Sequence, residues 1–393
     1  QLASDVVARA LKAGATEAEA VVYEGDEFSA LVRLGQVETL KESGSRAVGL
    51  RVFIGQRTAS TSSSDFSGES IQRLVDGAVT LAKITSEDPF AGLPEAHEFG
   101  RLEGDLKLYF DDVNEMPPAE RIEIARRCEA AAMACDTRIQ NSGGGDFDTA
   151  TSHKILVNSR GFVGEYSRSY CGFSTQPIAQ DEKGGMQRNY WFSAARTTKK
   201  LESPEEIGQE AARRTLKRLG ARQVKTQKAP VVFSPEIAKS IIGNIFEAAN
   251  GDSIYRNASF LSGLLGEPIA GENITIIDDG TLVFDNGDMK IGGFGTRPFD
   301  GEGLPTRRTV LVERGVLNSY VMNTYTARKL GLRSTGNASR GLAGNPGIGA
   351  GNFFLEPGTL SPEAILADIK NGLYVTETMG FGVNLVTGDY SQG

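Results

Sequence analysis

The sequence predicts an α+β protein of several domains, with mostly antiparallel sheets and flanking helices. Three observations predict it. A chain of 393 residues and 42.0 kDa exceeds what one hydrophobic core usually serves. Its apolar period changes repeatedly between helix-like 3.6 and strand-like 2. Its strand-like runs are separated by short glycine-containing turns, the pattern of antiparallel pairing.

Leu2, Val6, Val7, Ala10 and Leu11 share one helical face, with Gly14 as the stop. The following run, EAEAVVYEGDEFSALVRLGQVETLKESGSRAVGLRVFIGQR, predicts a meander of short strands turning at Gly25, Gly35, Gly44 and Gly55, and a helix then spans Gly68 to Ile84. Residues 87–112 mix proline, glycine and acid without a period, as a linker does. A helix opened by Pro117 and Pro118 carries Ile122, Ile124, Ala125, Cys128 and Ala132, and strand-like runs follow, with His153 at a strand start and NSRG as a hairpin turn. Ser203 and Glu206 form a capping box for a helix from Pro204 to Leu219. After a second connector come the strand APVVFS, a helix from Ser234–Pro235 to about Ala249, a strand pair turning at Arg314 and Gly315, a late helix opened by Ser361–Pro362, and a final hairpin. The order divides the chain into an N-terminal α+β domain at 1–98, a central α+β domain at 105–222 and a C-terminal sheet-rich domain at 228–393.

Composition excludes several classes of function. The balance of 42 basic and 50 acidic residues, net −8, is the wrong sign for a dedicated nucleic-acid protein. No apolar run approaches the roughly 18 residues of a membrane helix, and the N-terminus lacks the basic and apolar regions of a signal sequence. Cys128, Cys135 and Cys171 are odd in number and outside CxxC spacing, so they read as buried thiols of a reducing cytoplasm. With His97 and His153 as the sole histidines, no local histidine pair exists. His97 reads as solvated and His153 as structural; a zinc site from His153, Cys171 and an acid has no support in spacing. There is no GxSxG elbow. The glycine runs at 292–295 and 344–352 do not continue as phosphate loops. Acid pairs such as Asp278 with Asp279, or Asp300 with Glu302, read as solvated loop faces.

The stretch GGFGTRPFDGEGLPTRRTVLVERG, Gly292 to Gly315, nevertheless concentrates charge on a flexible loop. Gly292, Gly293, Phe294, Asp300, Glu302, Arg307 and Arg308 are the candidate substrate or partner residues. Asp300 and Glu302 are expected to pair with Arg307 and Arg308 and so hold the loop in one shape. Two readings stand side by side: a locked loop at a domain or subunit boundary near a substrate chamber, or an internal brace for the strand at Thr309 to Val312.

The block FDGEGLPTRRTVLVERGVLNSYVMNTYTARKLGLRSTGNASRG, Phe299 to Gly341, closely resembles the C-terminal half of the TldD/TldE family, known in older descriptions as modulators of DNA gyrase. The resemblance extends to PVVFSPEIAKSIIG, YRNASFLSGLLG and GLYVTETMGFGVNLVTGDYSQG, and to the opening strands, so it spans nearly the whole chain. It is nearest the TldE branch, also called PmbA. The TldD branch carries HExxxH on a helix that supplies zinc ligands and the acid that activates water. Alignment of NGD here with the EGD that follows that motif puts Ile242 at the first histidine, Gly243 at the glutamate and Glu247 at the second histidine. The resemblance therefore implies no catalytic residue, metal or cofactor in this chain, with zinc in a TldD-like partner. Together the two would cleave small unfolded peptides in the cytoplasm, without nucleic acid or membrane. Family members continue for several dozen residues beyond the equivalent of Gly393, and this sequence starts without methionine, so the resemblance implies a longer chain. A stand-alone peptide-binding or regulatory homodimer, and a hydrolase with an unrecognised site, are the competing classes; a gyrase-directed role fits the acidic balance least.

Overall fold

The computed structural model describes residues 1–285, 287–380 and 382–393. Its first half is built on one long-stranded sheet. Helix α1 (Leu2–Lys12) leads into β1 (Glu17–Arg33), β2 (Gln36–Ile54) and β3 (Arg57–Ser63), followed by α2 (Gly68–Ile84). A one-turn helix α3 (Asp112–Glu115) and then α4 (Pro118–Ala134) precede β4 (Ile139–Asn158), β5 (Val163–Gln180), β6 (Met186–Arg188) and β7 (Trp191–Ala195), and α5 (Pro204–Leu216) closes this half. The strand order is β3-β2-β1-β4-β5-β6, with β7 also on β5, and every pairing is antiparallel. Because β1 pairs with β4 from Glu19 to Val32, the N-terminal and central regions share a single sheet.

Strand alternation gives this sheet two distinct faces. Ala18, Ala20 and Val22 of β1 face α1 and α2, packing with Leu50, Val52, Ile71, Val75 and Val79. Farther along the same face, Val32, Phe147 and Phe173 meet Cys128 of α4 and Ile207 of α5. The opposite face carries Glu19, Val21, Arg51 and Leu156, and the C-terminal half covers it, with Phe299 buried against Val21, Leu156 and Phe162.

The C-terminal half contains β8 (Val231–Phe233), α6 (Pro235–Ala249), α7 (Gly251–Tyr255), β9 (Ile276–Asp279), β10 (Val283–Asp285), β11 (Lys290–Gly292), β12 (Arg308–Glu313) and β13 (Val316–Leu317). It continues with α8 (Thr324–Leu330), β14 (Ala338–Ser339), β15 (Gly347–Ile348), β16 (Asn352–Leu355), α9 (Pro362–Ala367), β17 (Leu373–Val375), β18 (Val383–Asn384) and β19 (Asp389–Tyr390). A four-stranded sheet, β13-β12-β9-β16, packs on α6 and α8 through Phe246, Ile276, Leu311, Val312 and Ala327. The α+β class, with mostly antiparallel sheets, is as the sequence predicts. No described helix is long and apolar enough to cross a membrane.

Several local expectations are corrected. Gly25 and Gly44 are not turns: they pair inside one long ribbon, Gly25 with Ser45 and Asp26 with Gly44. A Cβ on Gly25 would stand 2.8 Å from the Thr151 carbonyl, so close strand packing is what calls for glycine there. Gly35 and Gly55 do turn, with φ of 75° and 59°. His153 lies within β4, not at its start. Helix α5 ends at Leu216 rather than Leu219, and only half of the capping box forms, Glu206 N donating to Ser203 Oγ. The strand after the Arg314–Gly315 turn is two residues long. At the C-terminus, β17 pairs in parallel with β8, and a hairpin is confined to β18 and β19. Cys128 and Cys171 are buried, and burial pushes both thiols up to about 12, but Cys135 is exposed.

Residues 87–111, free of regular structure, are strapped onto the C-terminal half. The Arg328 guanidinium donates to the carbonyls of Phe90, Gly92 and Leu93, at 3.2, 3.2 and 2.6 Å. Tyr325 Oη donates to Asp88 at 2.8 Å, and Leu93 is fully buried. Farther along, Gly100 N donates to Gly303 O and Leu102 N to Pro298 O.

Candidate functional site

The charged loop lies where the large sheet meets the C-terminal half, and it is held from both sides. From the central region, buried Arg196 donates from Nε to Gly292 O at 2.8 Å and from Nη2 to Gly293 O and Phe294 O at 2.7 and 3.1 Å. Burial, reinforced by the neighbouring Arg168 charge, pushes its guanidinium down to about 10. From the C-terminal side, Asn352 accepts from Gly295 N at 2.9 Å and donates to Asp279 O and Thr296 Oγ1. A Cβ on Gly295 would stand 2.0 Å from the Gly351 carbonyl, so close backbone approach accounts for that glycine. Phe294 remains half exposed, 5.9 Å from the Tyr170 ring.

Neither Asp300 nor Glu302 pairs with Arg307 or Arg308, and neither acid is solvated. Both carboxylates are buried. Asp300 Oδ1 accepts from the amides of Glu302 and Leu304 at 2.8 and 3.0 Å, while Oδ2 accepts from Ala338 N at 3.0 Å. Glu302 Oε2 accepts from Thr324 N, the first amide of α8, at 2.8 Å. The physical reason is satisfaction of donors: the loop is buried, its amides need acceptors, and a carboxylate offers several. Arg307 and Arg308 project to solvent and make no ion pair among the described residues. Arg307→Ala and Arg308→Ala are therefore expected to change unfolding stability by no more than about 0.5 kcal/mol each, as denaturant titration would read. Asp278, also buried, accepts from Asn337 Nδ2 and Gly351 N at 2.5 and 2.7 Å.

Between the halves lies a layer of buried charge that sequence reasoning missed. Glu19 is ion-paired with Arg51 and, at 2.6 Å, with Arg340 Nη1. All three side chains are almost fully buried, yet Arg51 Nη2, Glu19 Oε2 and Arg340 Nε and Nη2 have no hydrogen-bond partner among the described residues. The signal was an arginine in the middle of the apolar strand run LRVFI; for Arg196 and Arg340 the local sequence offers none. Beside this layer is a cavity of about 460 Å³, lined by Arg51, Thr58, Asp252, Tyr255, Glu302 and Tyr325 among others. Of the proposed loop residues it brings in Glu302 alone.

The metal question turns on donor chemistry. Zinc takes histidine nitrogen, cysteine sulfur or carboxylate oxygen. On α6, Ile242 and Gly243 offer none of these, and Glu247 is an exposed carboxylate without a second donor aligned beside it. His153 sits on β4 with Nδ1 2.9 Å from Ser167 Oγ and Nε2 3.3 Å from Glu165. No group of three His, Cys, Asp or Glu side chains suited to a metal occurs among the described residues. The residues present do not fit a zinc ion on α6.

Fold and site define a class: a multi-domain α+β protein whose long-stranded sheet has helices on one face and a C-terminal sheet region, joined by a buried charge layer, on the other. The chain belongs to the PmbA/TldD metallopeptidase family, on its PmbA/TldE side. Three models of PmbA/TldA metallopeptidase domains match it: domain 1 over residues 18–82, the central domain over 111–219 and the C-terminal domain over 226–393. It is 37% identical to metalloprotease PmbA of Escherichia coli O157:H7 over 96% of this chain and 79% of that one. It is 33% identical to the Haemophilus influenzae PmbA homolog over 100% and 83%. Among solved structures, a Bacteroides thetaiotaomicron protein described as a candidate modulator of DNA gyrase superposes with a TM-score of 0.90 at 25% identity, covering 100% of this chain and 85% of that one. TldE of Thermococcus kodakarensis shares the fold with a TM-score of 0.84 at 23% identity, over 97% and 83%.

Proposed function

We propose that this chain is the metal-free, TldE-like subunit of a two-subunit zinc peptidase that cleaves small unfolded peptides in the cytoplasm. Zinc and the water-activating acid belong to a TldD-like partner, and this chain closes the chamber in which the peptide is cut. The observation that supports the reading is the donor set on α6: Ile242, Gly243 and Glu247, which the resemblance aligns with the histidine, glutamate and histidine of the zinc-binding branch, offer a single carboxylate. The name metalloprotease, borne by its relatives, supplies the reaction class. The loop from Gly292 to Arg308 is then placed to shape access to that chamber.

Uptake of an extended chain by strand addition suits the ribbon. Strand β3 pairs only with Val48–Ile54 of β2, which leaves residues 36–47 paired with β1 on one side and, among the described residues, with no strand on the other. Backbone pairing at such an edge holds any sequence alike. A substrate seen bound in a helical or turn conformation would remove this part of the reading.

The test is cleavage of an unstructured peptide by the chain alone, by a TldD-like partner carrying HExxxH, and by the mixture, with and without chelator. Cleavage in the mixture well above either component alone, lost on chelation, is expected. Cleavage by this chain alone would overturn the assignment.

A further inference from the structure

The loop from Phe294 to Phe299 stands on the large sheet by two aromatic feet. Phe294 rests 5.9 Å from the Tyr170 ring, and Phe299 rests 5.3 Å from the Tyr166 ring. Those tyrosines are four positions apart on β5, so the feet are separated by about 13 Å along the strand. Between them the loop is pinned as an arch. Gly295 N and Arg297 N donate to Asn352 Oδ1 and Gly280 O, and Thr306 Oγ1 donates to Arg297 O.

The floor of the arch follows from strand register. β4 pairs with β5 as Lys154 with Tyr166, Ser152 with Arg168 and Ala150 with Tyr170, and residues directly opposite share one sheet face. Lys154, Ser152 and Arg168 therefore lie on the face that the loop covers, Lys154 and Arg168 as diagonal neighbours with Cβ atoms about 7 Å apart. This floor carries charge without a partner. Among the described residues, Lys154 and Arg168 make no ion pair and donate no hydrogen bond, yet their side-chain nitrogens are open to solvent rather than sealed in the core. On the arch, Arg297 Nη2 donates to Gly349 O at 3.5 Å, and its Nη1 is likewise open and unpartnered.

Burial, reinforced by Arg340, Arg168 and Arg297, pushes the Lys154 ammonium down to about 8. Asp300 is the acid that offsets these charges, and its two oxygens already accept from three amides. An oxyanion placed here relieves the repulsion and accepts charge-assisted hydrogen bonds from several donors at once. A cation is repelled, and a neutral ligand leaves the ammonium and the guanidinium unanswered.

We infer that the arch is a binding site for a small oxyanion, either free phosphate or the carboxylate end of a peptide, held by Lys154 Nζ, the Arg168 guanidinium and Arg297 Nη1. The site is independent of the peptidase pairing, so the chain is titrated without a partner.

The experiment is calorimetric titration at constant ionic strength with sodium phosphate, N-acetyl-Ala-Ala and N-acetyl-Ala-Ala-amide. Saturable binding of phosphate, or of the acid peptide at least about tenfold tighter than its amide, is expected, and the pattern tells the free ion from the chain end. Lys154→Met and Arg168→Gln, with folding verified by circular dichroism, are each expected to weaken that binding at least about tenfold. The assignment is overturned if phosphate shows no saturable binding up to 10 mM and the acid peptide binds no better than its amide. Unchanged affinity in both folded variants overturns it as well, by placing the anion elsewhere. A control on the unaltered chain needs no variant: the bound oxyanion is expected to raise the Tm above the value in sodium chloride of equal ionic strength. An equal Tm in the two salts overturns the site, because screening of like charges is then the whole effect.

Discussion

Asp300→Ala is expected to destabilise the protein by roughly 3 kcal/mol or more, because three buried amides lose their acceptor and each unsatisfied donor costs about 1–3 kcal/mol. Those amides belong to Glu302, Leu304 and Ala338, so the substitution releases both the loop's own turn and its junction with β14. Asp300→Asn keeps one acceptor oxygen and is expected to lie between wild type and alanine. Urea unfolding of the three proteins measures the difference. A loss below about 1 kcal/mol for alanine would show that the carboxylate is not what organises the loop. The comparison with Arg308→Ala is informative, since one loop then holds a charge whose removal is severe and another whose removal is nearly silent.

Glu302→Gln is expected to stabilise the protein above pH 7 and to flatten its stability profile between about pH 4.5 and 7. Burial, reinforced by the neighbouring Asp300 carboxylate, pushes Glu302 from its ordinary 4.5 up to about 7, and Asp300 is raised with it. A raised acid binds its proton more tightly in the folded state than in the unfolded one. Its contribution to stability is therefore full below about pH 4.5, falls as pH rises through 7, and is constant above. A shift from 4.5 to about 7 corresponds to at most roughly 3 kcal/mol, shared with Asp300 because the two titrate together. Glutamine keeps an acceptor for Thr324 N without the charge, so denaturant titrations at pH 5 and pH 8 isolate the ionisation. An unchanged difference between the two pH values in the glutamine variant would refute the account.

What the sequence made legible was local. Helix α2 runs from Gly68 to Ile84 as its period predicts, because an amphipathic stripe declares itself within a few turns. The turn at Arg314 and Gly315 has φ of 47° and 83°, the positive values that a tight hairpin needs and glycine supplies. The order of elements, and with it the α+β class, followed from such signals. The long Phe299–Gly341 block, with its neighbours, carried the family.

Only the tertiary structure decided which charges meet. Spacing put Asp300 and Glu302 within reach of Arg307 and Arg308, but the loop buries its acids against backbone amides and turns its arginines to solvent. The guanidinium that does hold the loop is Arg196, 96 residues before Gly292 in the chain. Likewise Glu19, Arg51 and Arg340 form one buried cluster from three distant segments. Apolar periodicity is written along the chain because each element must show one face to a core. A buried ion pair has no such period: its partners are fixed by which sheet face a second domain covers, and that is settled only when both are folded.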